Sequence, residues 1–212
     1  MALYLDSALV TDAQRAGELG WVSGITTNPS LLAKSGLDTS GILERLARAI
    51  PGEVFYQLVA PDLDGMLVEG RQACKILGKQ AVLKIPATPI GFQALARLSR
   101  EAPCAVTAIY SPAQALVAAA VGARYALVYV NRATHLMGDG LALVTEIAGM
   151  LDGSSTALLA ASIKSPQEAV ATYRAGAPHL TLPLNVLEAL TEHELTARAV
   201  EEFADIGRGI SI

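Results

Sequence analysis

Short apolar runs alternate with longer amphipathic stretches from one end of the chain to the other. The runs cover residues 2–5, 22–25, 54–59, 81–85, 105–109, 125–130, 157–161 and 179–182, each of strand length and bounded by turn-forming residues. Between them, apolar positions return at helical spacing over 11–19, 41–50, 63–77, 91–101, 111–121, 140–151, 166–175 and 184–190. Residues 192–204 read as an additional helix. Strict alternation of strand and helix predicts a parallel sheet, and eight such units predict an α/β fold closed into a (β/α)8 TIM barrel. The competing open, doubly wound sheet usually has fewer strands and a glycine-rich phosphate turn after the first. Neither a G-x-G-x-x-G nor a Walker sequence stands there. With no linker-like or low-complexity stretch, the expectation is one barrel domain over 1–212, with 191–212 as a C-terminal helix and tail.

One position breaks the apolar pattern. Lys84 sits in Ala81-Val-Leu-Lys-Ile-Pro86, a run that otherwise reads as a buried strand. Burying an ammonium without a fixed anion lowers its pKa by up to about 3–5 units, roughly 4–7 kcal/mol. A leucine there would only stabilise. The cost makes sense if a neutral amine is the product, because such an amine attacks ketones and forms a Schiff base. The alternative is a short or tilted strand that lets the lysine head reach solvent.

A barrel places chemistry at the carboxyl ends of its strands, facing the axis. Asp6 closes the first run; Thr26 and Asn28 follow the second, with Pro29 fixing the turn. Gln57 lies in the third, Lys84 in the fourth and Thr107 in the fifth; Tyr129, Asn131 and Arg132 end the sixth, and Ser162 the seventh. Two-residue periodicity puts Val82 and Lys84 on one inward face, pairs Ala105 with Thr107 there, and turns Leu83 and Ile85 outward. Each residue also has a duller role: Asn28 and Pro29 as turn formers, Gln57 and Thr107 as satisfied core polars, Tyr129 as packing, Arg132 as surface. Ser162 could cap a helix over 163–175, and Asp6 could cap the next segment, although Thr11 and Asp12 are better placed to start it. Convergence of seven strand ends on one mouth favours a shared site.

Composition narrows the classes. The chain is 52% apolar and only 17% charged, which suits strands covered on both faces. A net charge of −4 without any Lys/Arg block argues against nucleic acid as a partner. The apolar stretch 113–123 is too short to span a bilayer and contains Gln114 and Gly122, so no membrane association is expected. The N-terminus lacks the basic segment of a signal peptide, and two cysteines in apolar contexts make no disulfide framework; a reducing cytoplasm is the expected location. The three histidines show no ligand spacing, and no metal is expected.

Taken in order, Tyr4-Leu-Asp-Ser7, Ile25-Thr-Thr-Asn-Pro-Ser-Leu31, Val82-Leu-Lys-Ile-Pro-Ala-Thr88, Thr107-Ala-Ile-Tyr110, Tyr129-Val-Asn-Arg132, Leu159-Ala-Ala-Ser162 and Leu182-Pro-Leu184 resemble the transaldolase family, as does a Gly207-Arg208 pair near the C-terminus. The length resembles the small bacterial branch that includes fructose-6-phosphate aldolase. The resemblance implies a Schiff-base barrel acting on sugar phosphates, with Lys84 as nucleophile and no cofactor, since the lysine supplies the electron sink. It implies that Tyr129 acts through a water held with Gln57 and Thr107, that Asp6 orients hydroxyls and assists proton transfer, and that Thr26 and Asn28 line the dihydroxyacetone end. Arg132 and Ser162 would hold the terminal anion. Longer transaldolases carry glutamate where Gln57 stands and phenylalanine where Tyr129 stands, so Phe55-Tyr-Gln-Leu58 and Tyr129 resemble the aldolase.

Departures at Ala133-Thr134, in 60–64 and at Pro89-Ile90 leave open a transaldolase, including one acting on a ketose with another anion such as a sulfonate. A non-catalytic sugar-phosphate binding protein is the third reading, against which an intact Lys84 argues. The C-terminal stripe Leu195, Ala199 and Phe203 must cover either its own barrel or a neighbour. The resemblance points to a homo-oligomer, a pentamer or decamer with this helix docked on the next subunit.

Overall fold

Eight parallel strands close on themselves in sequence order, β1 through β8, with β1 bonded to β8. The computed structural model describes residues 1–36, 38–207 and 209. The strands are β1 (Ala2–Asp6), β2 (Gly24–Thr26), β3 (Glu53–Gln57), β4 (Ala81–Pro86), β5 (Cys104–Ile109), β6 (Tyr125–Tyr129), β7 (Ala157–Ala161) and β8 (His179–Leu182). The outer layer holds α1 (Val10–Glu18), α2 (Pro29–Ala33), α3 (Thr39–Ala49), α4 (Leu63–Leu77), α5 (Pro89–Leu98), α6 (Pro112–Ala120), α7 (Val130–Met137), α8 (Gly140–Leu151), α9 (Pro166–Arg174) and α10 (Leu184–Ala189). A last helix, α11 (Glu194–Ile206), follows. No helix among the described residues is long and apolar enough to cross a membrane. Arg208 and residues 210–212, part of the expected tail, lie outside the described residues.

Local chemistry sets the helix starts. Side chains of Asn28, Asp38, Asp62, Thr88, Ser111, Asp139 and Ser165 each accept a bond from a backbone N–H in the first turn of the helix they precede. Proline stands at the first position of α2, α5, α6 and α9, where its missing N–H has no helical partner to lose.

Several boundaries differ from the sequence expectation. Pro29 opens a short helix instead of only a turn, and Val130 begins α7, so Asn131 and Arg132 are helical. Thr11 and Asp12 fall inside the first turn of α1; Asp12 instead accepts a bond from Ser7 Oγ at 2.7 Å. Helix α9 starts at Pro166 under a Ser165 cap, so the cap of this helix is Ser165 and not Ser162.

The two-residue alternation separates two cores. Leu83, Ile85, Val106 and Val128 join the cluster between sheet and helices. Tyr4, Phe55, Val82, Ala105, Tyr125, Leu127 and Leu159 fill the barrel interior. Below them Glu53 Oε2 accepts bonds from the Tyr4 and Tyr125 hydroxyls, at 2.8 and 2.9 Å, and Oε1 lies 3.1 Å from Arg124. This closes the amino end of the barrel and leaves the carboxyl end for polar residues.

Candidate active site

Two residues above that apolar plug, on the same inward face, stand Asp6 over Tyr4, Gln57 over Phe55, Lys84 over Val82, Thr107 over Ala105 and Tyr129 over Leu127. Asp6, Thr26, Gln57, Lys84, Tyr129 and Ser162 line one cleft of about 580 Å³, together with Asn28 and Arg132. Thr107 joins it through Tyr129. Of the polar residues that the sequence put at the strand ends, all but Asn131, which lies in α7 and does not line the cleft, are therefore gathered at one end of the barrel.

Lys84 is 2% exposed, so its head does not reach solvent. Its Nζ donates to the backbone oxygen of Thr27 at 2.7 Å. Burial pushes the amine down to about 8, while the nearby Asp6 charge pulls the other way. The drop is smaller than full burial alone can cause because that anion is present.

Asp6 is the reciprocal case. Burial raises its pKa, and Lys84, the Thr26 hydroxyl and Lys164 oppose the rise. Thr26 Oγ1 donates to Asp6 Oδ1 at 3.1 Å and lies 2.7 Å from Thr181 Oγ1. Because Thr26 has one hydroxyl proton and gives it to Asp6, Thr181 is the donor in the second bond. Asp6 is thus held by a chain of hydroxyls reaching to β8.

On the opposite side, Tyr129 and Thr107 hydroxyls lie 2.7 Å apart. Burial raises the phenol pKa; the bond with Thr107 lowers it, and Asp6 adds to the rise. The Arg132 guanidinium stands over the Tyr129 ring, 5.5 Å from its centre. Gln57 Oε1 is buried with no partner among the described residues. Asn28 Oδ1 is occupied by the Leu31 N–H at 3.0 Å, leaving its amide NH2 as the group available to the cleft.

Two backbone features shape the mouth. Ala108 and Ser162 are non-glycine residues at φ of 59° and 61°. Such conformations cost about 1–2 kcal/mol, and they cluster at functional sites. At Ala108 the β5–β6 register shifts between Val106 and Ile109, immediately after the strand has aimed Thr107 inward.

Sequence reasoning missed Thr27, Thr181, Ser30, Lys34 and the rim position of Lys164. The alternation in β8 could have found Thr181, since it follows the inward His179 by two. Nothing in the sequence says which carbonyl a buried lysine meets. A separate groove of about 660 Å³ runs along α11 and shares no residue with the cleft.

A (β/α)8 barrel whose carboxyl end holds a buried, amine-activated lysine beside a carboxylate has the architecture of Schiff-base aldol chemistry. The family model described as Transaldolase/Fructose-6-phosphate aldolase matches residues 3–208. Proteins named "Probable transaldolase" from Coprothermobacter proteolyticus and Heliobacterium modesticaldum are 39% and 38% identical; each alignment covers 96% of this chain, and 94% and 95% of theirs. The chain belongs to the transaldolase/fructose-6-phosphate aldolase family and is an enzyme of the Schiff-base aldolase/transaldolase type. Among solved structures, a mandelate oxidase variant superposes with a TM-score of 0.64 at 17% identity, covering 94% of this chain and 70% of its own; that likeness is one of barrel fold alone.

Proposed function

We propose that the enzyme is a class I aldolase that cleaves fructose 6-phosphate to dihydroxyacetone and glyceraldehyde 3-phosphate, and runs the reverse addition. The observation that carries the reading is the buried Lys84 amine near Asp6, with a neutral Gln57 paired to it on the neighbouring strand and a Tyr129–Thr107 hydroxyl pair at the same end of the barrel.

Neutral Lys84 adds to the C2 ketone, and loss of water gives an iminium. Asp6, whose raised pKa suits it to carry a proton, assists that loss. A water held by Gln57, Thr107 and Tyr129 takes the C4 hydroxyl proton. The C3–C4 bond then breaks, its electrons flowing into the iminium to leave an enamine on Lys84. Protonation at C3 and hydrolysis release dihydroxyacetone and restore the amine. Thr26 and Asn28 hold the dihydroxyacetone end. Arg132 and Ser162 hold the phosphate, a charge-assisted contact suited to a guanidinium. The lysine is the only electron sink that this scheme needs.

A second reading is favoured by the names of the relatives: transaldolase, in which the enamine attacks an aldose phosphate instead of taking a proton. Incubation with fructose 6-phosphate, with and without erythrose 4-phosphate, separates the two. Free dihydroxyacetone formed without acceptor supports the aldolase; product only with acceptor supports the transaldolase. We also propose a cytoplasmic location, which the two free cysteines fit, and a homo-oligomer, a pentamer or decamer, for which the exposed apolar face of α11 speaks.

A further inference from the structure

Two threonines follow one another at the end of β2, and they serve different partners. Thr26 binds Asp6 in the cleft. Thr27 is fully buried and is tied at three of its polar groups. Its N–H and its hydroxyl both donate to the Phe55 carbonyl, at 3.1 and 2.7 Å, and its own carbonyl accepts from Lys84 Nζ at 2.7 Å. Thr27 lies one residue past the last β2–β3 pair, Thr26 with Phe55. The next residue, Asn28, already caps α2. Here the ladder ends and the backbone would otherwise be free to turn. The hydroxyl supplies a second bond to the acceptor that the amide already uses, so the residue whose carbonyl meets Lys84 is tied to Phe55 through both its backbone and its side chain.

A lysine side chain has a flexible four-carbon stem and no preferred direction for its three donors. In a buried position the acceptor it meets decides where the nitrogen sits. With one N–H on the Thr27 carbonyl and one bond to its own carbon, the neutral amine has its lone pair among the remaining directions, away from β2. We propose that Thr27 is the positioning residue of the nucleophile: its hydroxyl, anchored on Phe55, fixes the carbonyl that holds Lys84 Nζ for attack. The inference rests on the reading of Lys84 as the Schiff-base lysine.

The test compares Thr27→Val and Thr27→Ser with the parent enzyme. Valine keeps the shape, and Phe55 keeps an amide donor, so no buried acceptor is orphaned and the fold should persist. The rate at which borohydride traps dihydroxyacetone on Lys84 is followed against pH, alongside the melting temperature. Thr27→Ser should keep the parent rate and pH midpoint. Thr27→Val should trap roughly tenfold or more slowly, since a small misplacement of a reacting atom costs that much. Its midpoint should also move to lower pH, because a loosened acceptor favours the ammonium less.

A Thr27→Val enzyme with parent rate and midpoint overturns the proposal. So do valine and serine variants slowed equally with an unmoved midpoint, the signature of packing alone. No adduct in the parent would instead overturn the Lys84 reading itself, and this inference with it. Should Thr27→Val fail to fold, NMR titration of the parent decides: the Thr27 carbonyl carbon should shift with the same midpoint as Lys84 Cε. A carbonyl shift that stays flat through that titration overturns the proposal.

Discussion

Thr107 Oγ1 and the Tyr129 hydroxyl, carried by neighbouring strands, lie 2.7 Å apart at the mouth of the barrel. The contact gives the phenol a fixed proton partner and opposes the rise in its pKa that burial causes.

Tyr129→Phe should therefore lower kcat by about 10²–10³-fold and change KM little, because a proton-transfer role is felt mainly in the transition state. Thr107→Val should cost less, roughly tenfold, and should move the basic limb of the pH profile upward, since the bond that lowers the phenol pKa is gone. Steady-state kinetics of fructose 6-phosphate cleavage across pH read both. A raised KM with unchanged kcat in Tyr129→Phe would demote the residue to ground-state positioning.

Lys84 ties activity and stability to pH in one window. Only the neutral amine attacks, so Schiff-base trapping should rise with pH through a midpoint of about 8. The folded pKa lies below the ordinary 10.5, so between these values the unfolded chain binds more protons and stability increases with pH. Lys84→Met should abolish the adduct and remove that rise. At neutral pH it should melt about 2–4 °C higher, a gain near 1 kcal/mol; the full cost of the buried charge is not recovered, because Asp6 and the Thr27 carbonyl lose their partner. A trapped adduct on Lys79 or Lys164 instead would sink the assignment.

How far the chain could be read differs by kind of fact. The eight strands and the inward face of β4 were legible because the two-residue alternation of Val82 and Lys84 against Leu83 and Ile85 is written in the sequence. The short helices α2 and α7 were not. Five residues after Asn28 make no helical period to detect, and Val130-Asn-Arg-Ala begins where an apolar strand pattern has just ended. The site's inward side chains were found, because a polar residue at a strand end is visible as such. Its backbone partners were not: the Thr27 carbonyl and the φ of Ser162 depend on how β2 and β7 end, a tertiary outcome that side-chain identity does not encode.

Arg132→Ala should discriminate by substrate. The guanidinium sits on α7 over the Tyr129 ring and at the cleft wall, where an anion would meet it. Loss of a charge-assisted bond is worth roughly 1.5–3 kcal/mol, so KM for fructose 6-phosphate should rise about 10–100-fold. Borohydride trapping of dihydroxyacetone, which carries no phosphate, should change little. Equal losses on both ligands would mean that Arg132 acts through Tyr129 and not on the anion.

Helix α11 carries the prediction about assembly. The sequence left two coverings open for its apolar stripe; among the described residues no side chain of α11 is fully buried, and Ala199 alone is half-buried. Leu195 is 64% exposed and Phe203 69%, with Val200 and Ile206 also bare. Large side chains in a row along one amphipathic helix, exposed among the described residues, are what a contact surface would need, and the prediction is that they form one. If that surface meets a second copy, light scattering at micromolar concentration should give a mass several times that of the chain. Truncation before Glu192, or the pair Leu195→Asp and Phe203→Asp, should lower that mass. Neither change touches the cleft, whose lining shares no residue with α11 or the groove beside it. Trapping on Lys84 should therefore survive in the dissociated form. A monomer mass for the fully active parent, or an assembly unchanged by truncation, would refute the role given to this helix.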